Sequence, residues 1–135
     1  MISTMTPEKV TLNFRCCVDW EEKYLYLIEL GERFCTLSES EQIDIHRLHG
    51  CQSRVWVVLN KNENVIELMA CSDSVIVNGL LALIVIAYDK KSSEQVLEFD
   101  LKYWFEQLEL EQHLTPTRAI GIAEIVKQIQ LMSDE

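Results

Sequence analysis

The sequence predicts an α+β fold, in which helices pack on a small antiparallel sheet of about three strands. Segments with helical periodicity come first and last along the chain, and two apolar runs, Arg54 to Leu59 and Val65 to Cys71, lie between them. The asparagine-rich connection between these runs, residues 60–64, is typical of an antiparallel hairpin. Residues 1–135 are expected to form a single domain, because no repeat or linker divides them.

The second apolar run also predicts which side of the sheet is buried. Side chains alternate between the two faces of a strand, so Ile66, Leu68 and Ala70 share one face. The opposite face carries Glu67 and the more varied residues that follow it. Helices are therefore expected to cover the first face.

Two helices are predicted before the sheet. Thr6-Pro7-Glu8 combines an N-cap residue, a first-turn proline and a carboxylate, and the helix it opens is expected to end near Cys17. Asp19 caps the second helix, which extends toward Arg33. A short helical turn is expected at residues 38–42. The predicted apolar stripe of the second helix consists of Trp20, Tyr24, Leu27 and Ile28.

The helices after the sheet have similar signals. Residues Leu80 to Tyr88 are apolar on every face, which predicts a fully buried central helix. Asp73, just before it, is expected to act as its cap. Three further helices are predicted, starting at Ser92-Ser93-Glu94-Gln95, at Asp100 and at Thr115-Pro116-Thr117, the last extending to about Met132.

Charge and cysteine content limit the function classes. Lys and Arg number 12 against 22 Asp and Glu, and the resulting formal charge of -10 disfavours nucleic acid and anionic lipid as partners. The five cysteines form no CxxC pair, so reduced thiols and a cytoplasmic location are expected. No secretory signal is predicted at the N-terminus, and the apolar stretch Val75 to Tyr88 is too short to span a membrane.

The candidate reactive residue is Cys51, which follows Gly50 in a turn that leads into the first strand of the hairpin. Glycine adopts backbone angles that other residues resist, so Gly50 allows the turn to present the thiol at its tip. Arg54 either lowers the pKa of this thiol or lies on the solvent face of its strand. A structural role for Cys51 is the alternative, because most cysteines act as small packing residues, as expected for Cys35.

Arg118 is a second candidate. It lies in the first turn of the last predicted helix, where the helix dipole disfavours a positive charge. An arginine beside free backbone N–H groups can form a pocket for an anion such as a thiolate or persulfide. The alternative is an ion pair with Glu111 or Asp100.

Two other site types use the same segment of the chain. His46, His49 and Cys51 are residue types that bind zinc, with Cys71 as a fourth ligand if the hairpin brings it near. Structural zinc sites usually contain a second close Cys or His pair, and no such pair is present, so no metal is predicted. A Cys-His hydrolase with His49 or His113 as the base has no local motif in its favour.

The motif Gly-Cys-Gln-Ser-Arg-Val-Trp, Gly50 to Trp56, resembles the active-cysteine motif of the SufE family of sulfur acceptors. The resemblance is closer to the SufE branch than to the CsdE branch, chiefly through Gln52-Ser53 and residues 20–26. Other stretches that are similar, in the family's order and spacing, are Asn13-Phe14, residues 19–24, Glu29-Leu30-Gly31, Ser72-Asp73, residues 79–82, Trp104-Phe105, residues 113–118 and Gly121.

This resemblance implies a SufE/IscU-like fold and a sulfur carrier without turnover of its own. The carrier would take persulfide sulfur from SufS, a PLP-dependent cysteine desulfurase, onto Cys51, stimulate desulfuration and deliver the sulfur to the SufBCD scaffold for iron-sulfur cluster assembly. The PLP belongs to the partner, so no cofactor is expected in this chain. A homodimer is left open. The implied loop or partner-docking residues are Gly50, Gln52, Arg54, Asp73 and Arg118.

One departure from the family pattern concerns Cys71. The family usually has an acidic residue there, within a Gly-Asp-Ser-Asp run, whereas this chain has Ala70-Cys71-Ser72-Asp73. A disulfide between Cys71 and Cys51 under oxidation is one hypothesis, and a buried strand thiol is the alternative. For the whole chain, the alternative to sulfur transfer is a noncatalytic binding or metal-binding module in which Cys51 is structural.

Overall fold

The chain folds as helices, then a sheet, then helices, which confirms the predicted α+β class. The structure is a computed structural model that describes residues 5–35, 37, 40, 42, 47–48, 54–110, 112 and 114–134. Its helices before the sheet are α1 (Pro7–Cys16) and α2 (Trp20–Phe34). Its strands are β1 (Arg47–Leu48), β2 (Val55–Asn62) and β3 (Val65–Ser72). The helices after the sheet are α3 (Val75–Tyr88), α4 (Ser93–Glu98), α5 (Leu101–Gln107) and α6 (Pro116–Asp134).

The sheet is antiparallel, with strand order β1-β2-β3. β2 and β3 form the predicted hairpin, but β2 extends to Asn62, so only Glu63 and Asn64 remain in the turn. Glu63 has a φ of 60°, in the left-handed region that two-residue hairpin turns use. The prediction of a five-residue connection was therefore wrong. A side-chain hydrogen bond of 3.3 Å from Asn62 Nδ2 to Glu67 Oε1 joins the strands across this end of the ladder.

Burial on the sheet agrees with the predicted alternation and extends it. Ile66, Leu68 and Ala70 are buried in the main core beneath the helices, as expected. β2 is covered on its other face as well, because Trp56 and Val58 are buried there in a smaller apolar cluster. The other members of that cluster are Leu37, Met69 and Cys71.

The predicted helix caps are confirmed. The side chains of Thr6 and Asp19 accept hydrogen bonds from backbone N–H groups in the first turns of α1 and α2. Ser92 and Gln95 form a reciprocal capping box on α4, and Asp100 caps α5. Of the turn predicted at residues 38–42, only residues 40 and 42 lie within the described part of the chain.

The central helix α3 packs along α2, and α2 presents to it a face different from the predicted stripe. Tyr24 is 39% exposed, whereas Leu27, Leu30 and Gly31 are buried. The stripe is displaced because a glycine in each helix, Gly31 and Gly79, brings the two backbones close together. A Cβ added to Gly79 would lie 2.7 Å from the carbonyl oxygen of Leu27.

None of the helices in the described residues is long and apolar enough to cross a membrane. α3 carries no charged residue, and its burial explains this apolar character. All residues from Gly79 to Tyr88 are buried inside the protein. The sequence prediction of a fully buried central helix is thus confirmed.

We expect Gly79→Ala to lower the free energy of unfolding by about 1–3 kcal/mol, because the added methyl group meets backbone that cannot move aside. This loss should occur even though alanine has a higher helix propensity than glycine. Urea unfolding followed by circular dichroism measures the change. Val75→Ala, at a position of the same helix that is 58% exposed, is the control and should change stability by less than about 0.5 kcal/mol. Equal stability of Gly79→Ala and the parent protein would contradict the close-approach explanation.

Candidate functional site

Three of the predicted site residues, Arg54, Asp73 and Arg118, lie within the described part of the chain. Gly50, Cys51 and Gln52 lie outside it. The described strands nevertheless locate the two ends of the segment that contains Cys51. β1 ends at Leu48 and β2 begins at Val55, and these two residues are cross-strand partners. Both ends of the segment are therefore at the same edge of the sheet, where β3 leads into α3.

Arg54 and Asp73 are joined at this edge by two hydrogen bonds. The Arg54 N–H donates to Asp73 Oδ1 over 3.0 Å, and the Asp73 N–H donates to the Arg54 carbonyl over 3.2 Å. These bonds extend the β2–β3 ladder by one pair beyond Val55 and Ser72. Asp73 thus holds the backbone of the residue where the chain leaves the Cys51 segment and enters β2.

The prediction that Asp73 caps α3 was wrong. The N-cap of α3 is Ser74, and its side chain makes no capping hydrogen bond. The strand register explains the difference, because it places the Asp73 carboxylate next to the Arg54 amide rather than at the first turn of the helix. Both Arg54 and Asp73 are exposed, so their side chains are accessible beside the Cys51 segment.

A second set of hydrogen bonds attaches the end of β3 to α3. The Ser72 N–H donates to Asn78 Oδ1 over 2.7 Å, and Asn78 Nδ2 donates to the Ser72 carbonyl over 3.0 Å. The Asn78 amide therefore pairs with the Ser72 backbone as a neighbouring strand would. The Ser74 N–H donates to Ser72 Oγ over 3.1 Å, which tightens the turn into the helix. This role of Asn78 was not predicted from the sequence, although a single asparagine in a long apolar stretch is a signal for it.

Two of the other thiols lie near this junction and are poor nucleophiles. Cys35 Sγ donates to the Asn78 carbonyl over 3.1 Å, and burial, with a smaller effect of Cys71, raises the pKa of Cys35 to about 12. Burial also raises the pKa of Cys71, and the Asp73 carboxylate adds to that rise. Both groups are thiols rather than thiolates near neutral pH. For Cys71 this agrees with the buried strand thiol that was one of the two interpretations, and the Cys51–Cys71 disulfide stays a prediction.

Arg118 lies at the start of α6, where its backbone N–H donates to Thr115 Oγ1 over 3.2 Å. Its partly buried side chain lines a cavity of about 60 Å³ that Trp20, Tyr24 and Ile76 also line. Ile76 belongs to the first turn of α3, so Arg118 approaches the same end of that helix as Asp73. Among the described residues Arg118 forms no ion pair, either with Asp100 or with Asp73. Glu111, the other predicted partner, lies outside the described residues.

The metal and hydrolase alternatives depend on residues outside the described part of the chain, namely His46, His49, Cys51 and His113. Within the described part, no group of three or more His, Cys, Asp or Glu side chains could hold a metal ion. Both alternatives stay as they stood from the sequence.

The fold and this junction define a class of protein: a helix-covered antiparallel sheet with a cysteine-bearing connection at one edge. The SufE family model, described as the Fe-S metabolism associated domain, matches residues 8–132, and the chain belongs to this family. Its role therefore lies in iron-sulfur metabolism. The fold is also similar to the solution structure of a hypothetical protein from Thermus thermophilus, with a TM-score of 0.75, 20% sequence identity and coverage of 96% of both chains.

Replacement of Asp73 tests whether its carboxylate acts as a hydrogen-bond acceptor. We expect Asp73→Ala to speed amide hydrogen exchange at Arg54 and to lower stability by about 0.5–1.5 kcal/mol, the net value of one hydrogen bond. Asp73→Asn keeps an oxygen at the same place and should stay close to the parent in both measurements. If Asp73→Asn behaves like Asp73→Ala, the negative charge rather than the hydrogen bond is what matters.

The raised pKa values predict the order in which thiols react. At pH 7.5 iodoacetamide should modify the exposed Cys16 quickly, and Cys35 and Cys71 slowly. The rate at Cys35 should increase as the pH rises toward 12, because the thiolate fraction grows up to that pKa. Peptide mass spectrometry at timed intervals measures each rate in the folded protein, with urea-unfolded protein as the control. Equal rates for Cys16 and Cys35 in the folded state would contradict the burial of Cys35.

Proposed function

We propose that this chain is a sulfur acceptor and carrier. It takes persulfide sulfur from the PLP-dependent cysteine desulfurase SufS onto Cys51, stimulates desulfuration, and passes the sulfur to the SufBCD scaffold for iron-sulfur cluster assembly. The observation that carries the proposal is the family match over residues 8–132, which includes the motif Gly50 to Trp56. Within the family we assign the chain to the SufE branch rather than the CsdE branch.

The transfer step is a thiol exchange with no net redox change. The Cys51 thiolate attacks the terminal sulfur of the persulfide on the desulfurase cysteine, and a new sulfur–sulfur bond forms at Cys51. The bond between the two sulfurs of the donor persulfide breaks, and the desulfurase cysteine leaves as a thiolate. A second exchange of the same kind delivers the sulfur to the scaffold. This chain needs no cofactor for either step, because the PLP belongs to the desulfurase.

The chemistry of the other thiols supports Cys51 as the acceptor. A nucleophile in thiol exchange must be a thiolate for part of the time, and it must be reachable by the donor. Cys35 and Cys71 have raised pKa values, and Cys35 is also bonded to a backbone carbonyl. Neither thiol suits the task near neutral pH.

The junction between β3 and α3 supports a positioning role for Asp73. Its hydrogen bonds to Arg54 hold one end of the Cys51 segment against a sheet that α3 backs. A persulfide must be reachable during transfer and protected at other times, so a firm anchor beside a loop that moves meets both needs. In this proposal Gly50, Gln52 and Arg54 shape the loop, and Arg118 contributes to docking of the partner.

We further propose that the chain acts in the cytoplasm as a single domain. Its formal charge of -10 favours a protein partner with a basic docking face over nucleic acid or an anionic membrane. Whether it works as a monomer or as a homodimer does not affect the transfer step.

Replacement of Cys51 tests the proposal. We expect Cys51→Ser to keep the fold and to abolish the stimulation of alanine production by SufS from L-cysteine, because serine cannot accept sulfur. Cys71→Ser is the matched control and should retain most of the stimulation. Thermal unfolding of each variant shows whether the fold is intact.

Two results would contradict the proposal. Full stimulation by Cys51→Ser would place the acceptor elsewhere. Loss of the fold in Cys51→Ser, together with stoichiometric zinc in the purified parent protein, would instead favour a metal-binding module in which Cys51 is structural.

A further inference from the structure

An apolar groove runs between α5 and α6, away from the junction of β3 with α3. Its volume is about 510 Å³, within the range of small-molecule sites in proteins. Its walls are formed mainly by the apolar side chains Leu101, Phe105, Leu114, Ile122 and Val126. We call this feature the α5–α6 groove.

The charges along the α5–α6 groove are all of one sign. Among its described lining residues only Lys102 and Lys127 are charged, and both are exposed at its edge. This composition is unusual in a chain with 12 basic and 22 acidic residues. An apolar trough bordered by two ammonium groups and by the Gln130 amide is complementary to an amphipathic anion.

A second cavity, of about 390 Å³, adjoins the groove, because Leu101, Lys102, Val126 and Gln130 line both. Tyr88 lines this second cavity. It is completely buried, and within the described structure its hydroxyl has no hydrogen-bond partner. The Gln130 side chain is near enough to influence the hydroxyl, but its geometry is not that of a hydrogen bond.

An unpartnered buried hydroxyl is costly, since it has lost its contacts with water and gained none in return. Burial raises the pKa of Tyr88, and the Asp100 carboxylate adds to the rise, so the group stays a neutral O–H that can donate a hydrogen bond. The groups near its oxygen, Gln130 and Asp100, also line the cavity. The hydroxyl end of Tyr88 is therefore the end that faces the cavity.

We propose that the α5–α6 groove and the adjoining Tyr88 cavity form a binding site for an amphipathic monocarboxylate. The aliphatic part of the ligand lies along Phe105, Ile122 and Val126, and its carboxylate lies at the shared boundary. There it accepts a hydrogen bond from the Tyr88 hydroxyl and interacts with Lys102 and Lys127. This site is independent of the proposed sulfur transfer.

Titration of the full chain, labelled with ¹⁵N, tests the proposal with three probes of equal chain length: decanoate, decanol and decyltrimethylammonium. Decanoate should bind saturably, with shifts confined to α4, α5, α6 and the end of α3. Decyltrimethylammonium should bind at least about tenfold more weakly, and decanol should lie between the two. Equal binding of all three probes, or shifts spread over other surfaces, would overturn the proposal.

Variants separate the hydroxyl from the groove. Tyr88→Phe should weaken decanoate binding about threefold to tenfold, the effect of one net hydrogen bond, without lowering stability, because the hydroxyl has no partner to lose. Tyr103→Phe, on the exposed side of α5, is the matched control and should bind decanoate like the parent. Unchanged binding by Tyr88→Phe would overturn the assignment of the hydroxyl.

Ala123→Trp tests the groove itself. Ala123 is exposed on α6, so a larger side chain there should fill the groove and abolish decanoate binding while the fold is retained. Binding that survives in a folded Ala123→Trp variant would overturn the proposed location. A dimer that Ala123→Trp dissociates, in a protein that does not bind decanoate, would assign the groove to a second copy of the chain and would also overturn the proposal.

Discussion

Two consecutive residues of α3, Asn78 and Gly79, determine how the rest of the protein is assembled. The Asn78 amide pairs with both backbone groups of Ser72 and so fixes the helix to the last residue of the sheet. Gly79 has no side chain, and this allows α2 to approach at the level of Leu27. The Asn78 carbonyl also accepts the bond from Cys35 just after the end of α2. One turn of one helix thus ties together the sheet, the central helix and the helix that covers it.

This assembly gives the candidate site its fixed side. Asp73 follows Ser72 directly, so the attachment of Ser72 to α3 also determines where the Asp73 carboxylate points. The carboxylate in turn holds the Arg54 amide, which lies three residues after Cys51. Arg118 reaches the same end of α3 from α6. Residues that are far apart in sequence are therefore placed by a single helix end, and the cysteine-bearing segment starts and finishes beside them.

The sequence predicted those features that depend on local signals. The caps at Thr6, Asp19 and Asp100 are short-range hydrogen bonds, and the burial of Ile66 and its neighbours follows from strand alternation. Features that depend on tertiary geometry were not predictable in the same way. The role of Asp73 follows from strand register, and the small apolar cluster on the outer face of β2 requires Leu37 to come from a distant part of the chain. For the site, Cys51 was identified through a family motif, whereas the partnership of Asp73 with the Arg54 backbone became visible only in the structure.

The central claim, that Cys51 receives sulfur, is tested most directly by locating the sulfur on the chain. Trypsin separates the thiols, because Cys51 is the one cysteine of the peptide Leu48–Arg54 and Cys71 is the one cysteine of Asn62–Lys90. After incubation with SufS and L-cysteine, followed by alkylation and digestion without reductant, the account predicts a gain of about 32 Da on Leu48–Arg54 and none on Asn62–Lys90. An unmodified Leu48–Arg54 peptide, in a sample where SufS is fully active, would contradict it.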